Sequence, residues 1–201
     1  LSLVMLTISC GYNDRVSAEI DSPTLPVLTG KKYNPVQKIR LIRDSTGFNR
    51  EEYILEKVTL SLEGTTDISD IDKVMLFRAG ENDKLETDHP VGEVQPTATK
   101  ITFSNHFTVT EDTTILWVSV TLKKSIDLSH KIKIRCEEIV TDRGKLKILP
   151  HDAKELRAGV TLRQHGQDGV HTSRIPGLAT SKKGTLLAIY DARYESARDL
   201  Q

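Results

Sequence analysis

Two arginines near the end of the chain have the spacing to hold an anion between them. Arg174 lies in one β-like run and Arg193 at the end of a second, with the turn 181–184 between them. Two such runs around a Gly-containing turn predict a β-hairpin. A turn centred near Lys183 would place the two arginines nearly opposite each other. Because like charges across a ladder are destabilising, and because the guanidinium fork matches a carboxylate, the pattern predicts a carboxylate clamp.

The wording of this hairpin resembles that of a known family. The tripeptide at 174–176 is Arg-Ile-Pro, and the segment at 191–194 is Asp-Ala-Arg-Tyr. Over residues 165–201 the chain resembles the start of the catalytic domain of bacterial exo-α-sialidases (neuraminidases), which are six-bladed β-propellers. The combination of a tripeptide, a hairpin and two residues at fixed offsets makes this resemblance specific, whereas Arg-Ile-Pro alone would be weak.

The resemblance implies a site and a mechanism. Arg174 and Arg193 would be two of three arginines that clamp the carboxylate of sialic acid, and Asp199 would be the acid/base catalyst. The family's Tyr nucleophile, its assisting Glu, the third Arg and the repeated Asp boxes have no counterpart in these 201 residues. The implied substrate is a terminal α-linked sialic acid, so sialylated glycans are the expected partners, and no metal or organic cofactor is implied. The 201-residue chain alone is expected to be inactive.

Charge and hydropathy argue against two classes of function. The chain has 28 basic and 28 acidic residues without a basic stripe, so nucleic-acid binding is not expected. It contains no apolar run of about 18 residues, the length that predicts a membrane-spanning helix.

The first ten residues are typical of the end of a secretory signal peptide, with a short apolar run followed by small residues and a cysteine. They resemble a bacterial lipoprotein signal, in which Cys10 carries the lipid; an apolar first strand is the alternative. The expected location is the periplasm, the outer membrane or the cell surface, with membrane contact through a lipid on Cys10. Cys136 would then be left unpaired and is interpreted as a small buried hydrophobe.

The middle of the chain has the pattern of an antiparallel β-sandwich. Short runs, several of them alternating with period two, are separated by turn residues. The predicted strands are 37–43, 56–62, 73–78, 99–103, 114–122, 131–140 and 145–149. The predicted fold class is therefore all-β, an N-terminal β-sandwich followed by the beginning of a β-propeller. The predicted domains are a signal segment 1–10, an irregular tether 11–35, the sandwich 36–150, a connector 151–164 and the propeller start 165–201.

The sandwich itself resembles the domain that precedes the propeller in sialidases of gut Bacteroidetes, on the wording of residues 62–71 and of the strand around Trp117. Such domains are described as carbohydrate-binding-like, so two alternatives to an enzyme stay open: a glycan-binding module and an inactive sialidase-like lectin. Trp117 is interpreted as a core or half-buried residue in preference to a sugar platform. Tyr33, Phe48 and Tyr53 flank loops and are interpreted as ordinary surface or packing residues in preference to sugar platforms.

Other polar clusters favour ordinary roles. Asp67, Asp70 and Asp72 lack the Gly and the terminal Glu of a calcium loop, so they are interpreted as a solvated turn with side-chain-to-backbone bonds. His165 and His171 are too isolated in the sequence to predict a metal site.

Overall fold

The computed structural model describes residues 12–43, 52–79 and 83–198. Its regular elements are β-strands and two single-turn 3-10 helices, at Ile68–Asp70 and Gln167–Gly169. The prediction of an all-β fold is confirmed. The strands are β1 (Tyr12–Asp21), β2 (Val27–Thr29), β3 (Asn34–Arg43), β4 (Tyr53–Ser61), β5 (Ile71–Arg78), β6 (Pro90–Val94), β7 (Lys100–Val109), β8 (Thr113–Leu122), β9 (Lys131–Lys133), β10 (Arg135–Thr141), β11 (Gly144–Ile148), β12 (Glu155–Val160), β13 (Thr172–Thr180) and β14 (Leu186–Arg193).

The chain divides into two compact units, 1–160 and 161–201. Most of the first unit is one nine-stranded sheet in the order β6-β5-β8-β3-β1-β11-β10-β4-β7. All neighbours in it are antiparallel except β1 and β11, which pair in parallel and join the two halves. The sheet is curled, so that its two edge strands, β6 and β7, lie close together. Both halves contribute to one core, for example Leu41 and Val118 from one and Leu60 and Ile139 from the other.

A small three-stranded sheet, in the order β2-β12-β9, completes the first unit. Asn34 is almost fully buried and ties β2 to the large sheet. Its Oδ1 accepts a bond from the Leu28 amide at 2.9 Å, and its Nδ2 donates to the Val120 carbonyl at 3.1 Å. A buried amide with these partners satisfies backbone groups that would otherwise be orphaned.

Parts of the chain predicted to be irregular are strands. The prediction of a tether over residues 11–35 is wrong where β1 runs, because Val16 and Ala18 alternate inward and are buried. The same holds for β12, inside the predicted connector 151–164. The predicted strand 131–140 is divided between β9 and β10. Cys136 is 1% exposed, as predicted for a small buried hydrophobe, and its burial raises the thiol pKa to about 12.

The second unit consists of a loop and the antiparallel hairpin β13–β14. Apolar side chains are exposed on both faces of this hairpin: Leu178 and Leu186 on one face, Leu187 and Ile189 on the other. Among the described residues, no helix has the length and apolarity needed to cross a membrane.

Candidate functional site

The hairpin that carries the two arginines is closed by a tight turn. Ser181 accepts a bond from the Gly184 amide at 2.9 Å and donates its own amide to the Thr185 carbonyl at 2.8 Å. Gly184 has φ +81, a left-handed conformation that glycine adopts without steric cost. This is the predicted turn, and it sets the register of the strands that follow it.

A bulge interrupts β13 directly after Arg174. The ladder pairs Gly177 with Ile189 and then resumes with Arg174 opposite Asp191, so one residue of β13 is extra. Ile175 has φ +51, a left-handed conformation that is rare for a β-branched residue. Pro176 fits such a place because it has no amide hydrogen to contribute to a ladder. Backbone strain of this kind costs roughly 1–3 kcal/mol and concentrates at functional sites.

The predicted register of the two arginines is wrong. Arg174 pairs with Asp191 and Arg193 pairs with Thr172, so the arginines are diagonal neighbours and not direct partners. The turn itself sets a register that would place Arg174 opposite Ala192, and the bulge, which the sequence-based register did not include, moves it one residue further, to Asp191. Since side chains two residues apart in a strand share a face, Arg174, Asp191 and Arg193 still lie on the same face of the hairpin. The direct opposition of like charges is thereby replaced by an opposition of unlike charges.

The two guanidinium groups converge on one short segment. Arg174 Nη1 donates to the Ala197 carbonyl at 3.0 Å, and Arg193 Nη1 donates to the Arg198 carbonyl. Arg193 Nε also donates to Asp191 Oδ2 at 2.8 Å. The side chain of Arg193 is only 12% exposed, against 41% for Asp191. Two cations that meet on neighbouring acceptors can offer the same donors to an anion.

Two residues predicted to be functional lie outside the described part of the chain. Asp199 follows directly after the segment that the arginines contact, and Cys10 belongs to the first eleven residues. Their roles as acid/base catalyst and as lipid-bearing residue stay predictions.

The rest of the second unit is held by polar contacts. Arg163 Nε donates to the Tyr190 hydroxyl at 2.8 Å, and its Nη1 lies 3.3 Å from Asp168 Oδ2. The rings of His165 and His171 pack edge to face with 4.8 Å between their centroids. The bond from Arg163 to Tyr190 joins the loop to β14, whereas the other two contacts lie within the loop.

A second polar cluster lies in the first unit. Asp67 accepts a bond from the Ser69 amide at 2.8 Å, as predicted for a turn. Asp70, in contrast, is buried, and its Oδ2 lies 2.7 Å from His130 Nδ1. The hydrogen bond to Asp70 raises the His130 pKa above its usual value, with a smaller contribution from Asp127. Ligand atoms of Asp67, Asp70 and His130 all lie within 4.8 Å of one another, so within the described residues these three could offer ligands to a cation.

A cavity of about 340 Å³ opens beside the single tryptophan. Trp117 is half-buried, and Lys38 Nζ lies 5.5 Å from its ring centroid. Lys154 and the segment 21–24 line the other side. Asp21 is among these residues, and Lys38 is paired with Asp83 at 3.0 Å. An aromatic ring, hydroxyls and charged groups of both signs around one cavity can bind a polar small molecule.

Sequence reasoning missed two residues at these sites. Asp191 was passed over although it stands two positions before Arg193, the spacing that puts both on one face of a strand. His130 was passed over because its partner Asp70 is sixty positions away in the chain, and no local pattern joins them.

Comparison with known proteins agrees with the predicted resemblance to sialidases. Residues 15–91 match the N-terminal domain of BNR-repeat neuraminidase. A sialidase of Bacteroides fragilis (strain YCH46) is 40% identical over 87 residues, which are 42% of this chain and 16% of that protein. The solved structure of Hadza microbial sialidase Hz136 superposes with a TM-score of 0.75 at 24% identity, over 91% of this chain and 39% of that one.

These comparisons confirm the resemblance to sialidases. At 24% identity the solved structure establishes the fold, while the family match and the Bacteroides relative lead to sialidases by sequence. The chain spans about two fifths of the length of the solved sialidase. It corresponds to the N-terminal part of a sialidase-like protein.

Proposed function

We propose that the whole protein containing this chain is an exo-α-sialidase that hydrolyses terminal sialic acid from glycoconjugates. The observation that supports this most directly is the convergence of the Arg174 and Arg193 guanidinium groups on one face of the hairpin. The sequence similarity to neuraminidases and sialidases supports it independently. Sialylated glycans and glycoproteins are then the substrates.

The two arginines bind and orient the substrate carboxylate in this proposal. Charge-assisted bonds of this kind contribute about 1.5–3 kcal/mol each, and a third arginine from outside this chain completes the clamp. Asp199 protonates the leaving oxygen and then activates water. Sialidases use a Tyr nucleophile in place of a second carboxylate, and a neutral nucleophile avoids repulsion by the anionic substrate. That Tyr and its assisting Glu also lie outside this chain, so the 201-residue chain alone does not hydrolyse sialosides.

The test is hydrolysis of sialyllactose by the full-length protein, compared with its Arg174→Lys variant. Lysine keeps the charge but loses the fork of the guanidinium group. The substitution should therefore cost about 1–3 kcal/mol of transition-state stabilisation, so kcat/KM should fall roughly five- to 150-fold. Arg135→Lys is the matched control, because Arg135 is exposed on β10 in the other unit. Equal activity of wild type and Arg174→Lys would refute the clamp, and an inactive wild type would refute the enzyme.

A second candidate is glycan binding by the first unit at the cavity beside Trp117. Its ring, the hydroxyls of Ser22 and Thr24 and the ammonium group of Lys154 support the binding of a sugar. Trp117 is the single tryptophan of the chain, so its fluorescence reports on this cavity. Titration with sialyllactose should change the emission of the 201-residue chain, and Lys154→Ala should weaken the change. A flat titration at millimolar sugar would reject the candidate.

We also propose that the protein is exported as a lipoprotein through Cys10. Expressed with its complete signal in a Gram-negative host, the protein should enter the detergent phase on phase separation. Cys10→Ala should move it to the aqueous phase, whereas Cys136→Ala, which changes the other cysteine, should not. Equal partitioning of wild type and Cys10→Ala would reject the anchor.

A further inference from the structure

Asp191 stands between the two arginines of the candidate clamp. It is the direct ladder partner of Arg174 and lies two residues before Arg193 in β14, so all three side chains share one face of the hairpin. The trio carries two positive charges and one negative charge. A carboxylate in this place reduces the mutual repulsion of the guanidinium groups and leaves a net positive charge for an anionic ligand.

The contact between Asp191 and Arg193 has a defined geometry. Asp191 Oδ2 accepts from Nε of Arg193 at 2.8 Å, at the inner edge of the guanidinium plane. The opposite edge of the guanidinium points away from Asp191, and its Nη1 donates to the Arg198 carbonyl. Since a guanidinium is a rigid planar fork, fixing its Nε edge also fixes the direction of its terminal nitrogens. The low exposure of the Arg193 side chain is consistent with a single orientation.

We propose that Asp191 is a positioning residue for the sialidase reaction. It holds the guanidinium of Arg193 in the orientation that binds the substrate carboxylate, and through Arg193 it orders the segment that leads to Asp199. The inference rests on the proposed function and deepens it, because it adds a residue that acts through an arginine and does not touch the substrate. Asp191 is negative, so direct contact with the sialic acid carboxylate would be repulsive.

The first test follows Arg193 itself and needs no activity. In the 201-residue chain, the Arg193 Nε–Hε resonance is assigned by its loss in Arg193→Lys. Asp191→Asn should shift this resonance and speed its exchange with water, because a neutral amide is a weaker acceptor than a carboxylate. Asp168→Asn removes the matched ion pair with Arg163 and should leave the resonance unchanged. An unchanged resonance in Asp191→Asn would overturn the proposal.

The second test is a double-mutant cycle on kcat/KM in the full-length protein. Asp191→Asn should lower kcat/KM about tenfold in the wild-type background and less than about twofold in the Arg193→Lys background, because residues that act through each other are not additive. Asp191→Glu should recover part of the loss, and Asp168→Asn should have wild-type activity. Equal losses from Asp191→Asn in both backgrounds would show a merely structural role and overturn the proposal.

The outcomes distinguish a failure of the proposed sialidase activity from a failure of the role proposed for Asp191. An inactive wild type refutes the proposed function, and the Arg193 resonance then still decides whether Asp191 holds the guanidinium. An active wild type with additive losses keeps the sialidase and removes Asp191 from its positioning role.

Discussion

The two units of this chain are stabilised in different ways. In the first, a curled nine-stranded sheet closes around apolar side chains that are almost fully buried, such as Leu60 and Val118. In the second, the hairpin leaves Leu187 55% exposed and Ile189 71% exposed, and the order around it comes from polar contacts. The core-forming unit contains the region matched by the family, residues 15–91. The candidate clamp lies on the other unit, in which none of the described apolar side chains is buried.

The buried core and the candidate clamp therefore lie in different units of the chain. A hairpin with apolar residues on both faces is marginal by itself and is expected to be covered on both sides in a complete domain. The bulge and the ion pair at Asp191 act locally and do not require a core. The positions of the two arginines can therefore be fixed by these local contacts, without packing against the two faces of the hairpin.

The largest expected effect concerns the proposed acid in the second unit. In the full-length protein, Asp199→Asn should lower turnover of a natural sialoglycan by about 10²–10⁴-fold while sparing the binding of an unhydrolysed analogue. Aryl sialosides need little protonation of the leaving group, so the turnover of these substrates should fall less. Steady-state kinetics on both substrates, with analogue binding measured by calorimetry, would check this. Equal losses on both substrates, or lost analogue binding, would contradict the role of Asp199.

The contrast in burial predicts unequal costs for the same substitution. Leu60 is 0% exposed, so Leu60→Ala should lower the free energy of unfolding by about 2–5 kcal/mol. Leu187→Ala is the matched change on the hairpin and should alter it by about 0.5 kcal/mol or less. Urea unfolding of the 201-residue chain, followed by circular dichroism, measures both. Similar costs at the two positions would mean that the hairpin packs as tightly as the core.

A smaller effect is expected from an ion-pair network in the first unit. Glu138 bridges Lys145 and Lys57, at 2.6 Å from Lys57 Nζ, and these lysines, Lys145 foremost, lower its pKa to about 2. The stabilisation is present above the usual glutamate pKa and is lost as the pH falls from about 4.3 towards that lowered value. At neutral pH, Glu138→Gln should cost about 0.5–1 kcal/mol, with wild type and variant converging in acid. Thermal melts across this range test it, and parallel curves would contradict the network.

The smallest effect concerns the pair formed by buried Asp70 and half-buried His130. The His130 pKa is raised mainly by its bond to Asp70. Its contribution to stability is therefore complete below the unfolded value of about 6.5 and is lost as the pH rises through the raised folded value. The melting temperature of the wild type should fall more than that of His130→Gln over this alkaline interval. If both fall equally, folding does not raise the pKa of His130.

Much of the fold could be predicted from the sequence because strand alternation is a local property. Two of the predicted strands, 114–122 and 56–62, correspond to β8 and β4 with small errors at their ends. β1 was missed because the prolines after it directed the interpretation to an irregular tether, although Val16, Ala18 and Ile20 alternate. β6 was missed because a short edge strand containing Pro90 and Gly92 has almost no pattern.

The candidate site could be predicted in part. The hairpin and the shared face of Arg174 and Arg193 follow from local sequence, but their register depends on a bulge whose presence the turn does not reveal. The pairing of Asp70 with His130 depends on the tertiary fold and has no sequence signal. Arg174 and Arg193 were found through local alternation, and Asp191 was missed although the same local signal was present. The pair Asp70 and His130 was missed because it meets only through long-range packing.

The bulge after Arg174 determines which face of the hairpin each arginine projects from. Next to the turn, Gly177 pairs with Ile189, and a regular ladder continued from there would pair Arg174 with Ala192. Because alternate residues point to opposite faces, Arg174 and Arg193 would then project from opposite sides of the hairpin. The single extra residue in β13 inverts the alternation once, and the inversion brings both guanidinium groups to one side. Deleting Ile175 would therefore separate the two arginines while leaving every charged residue in the chain.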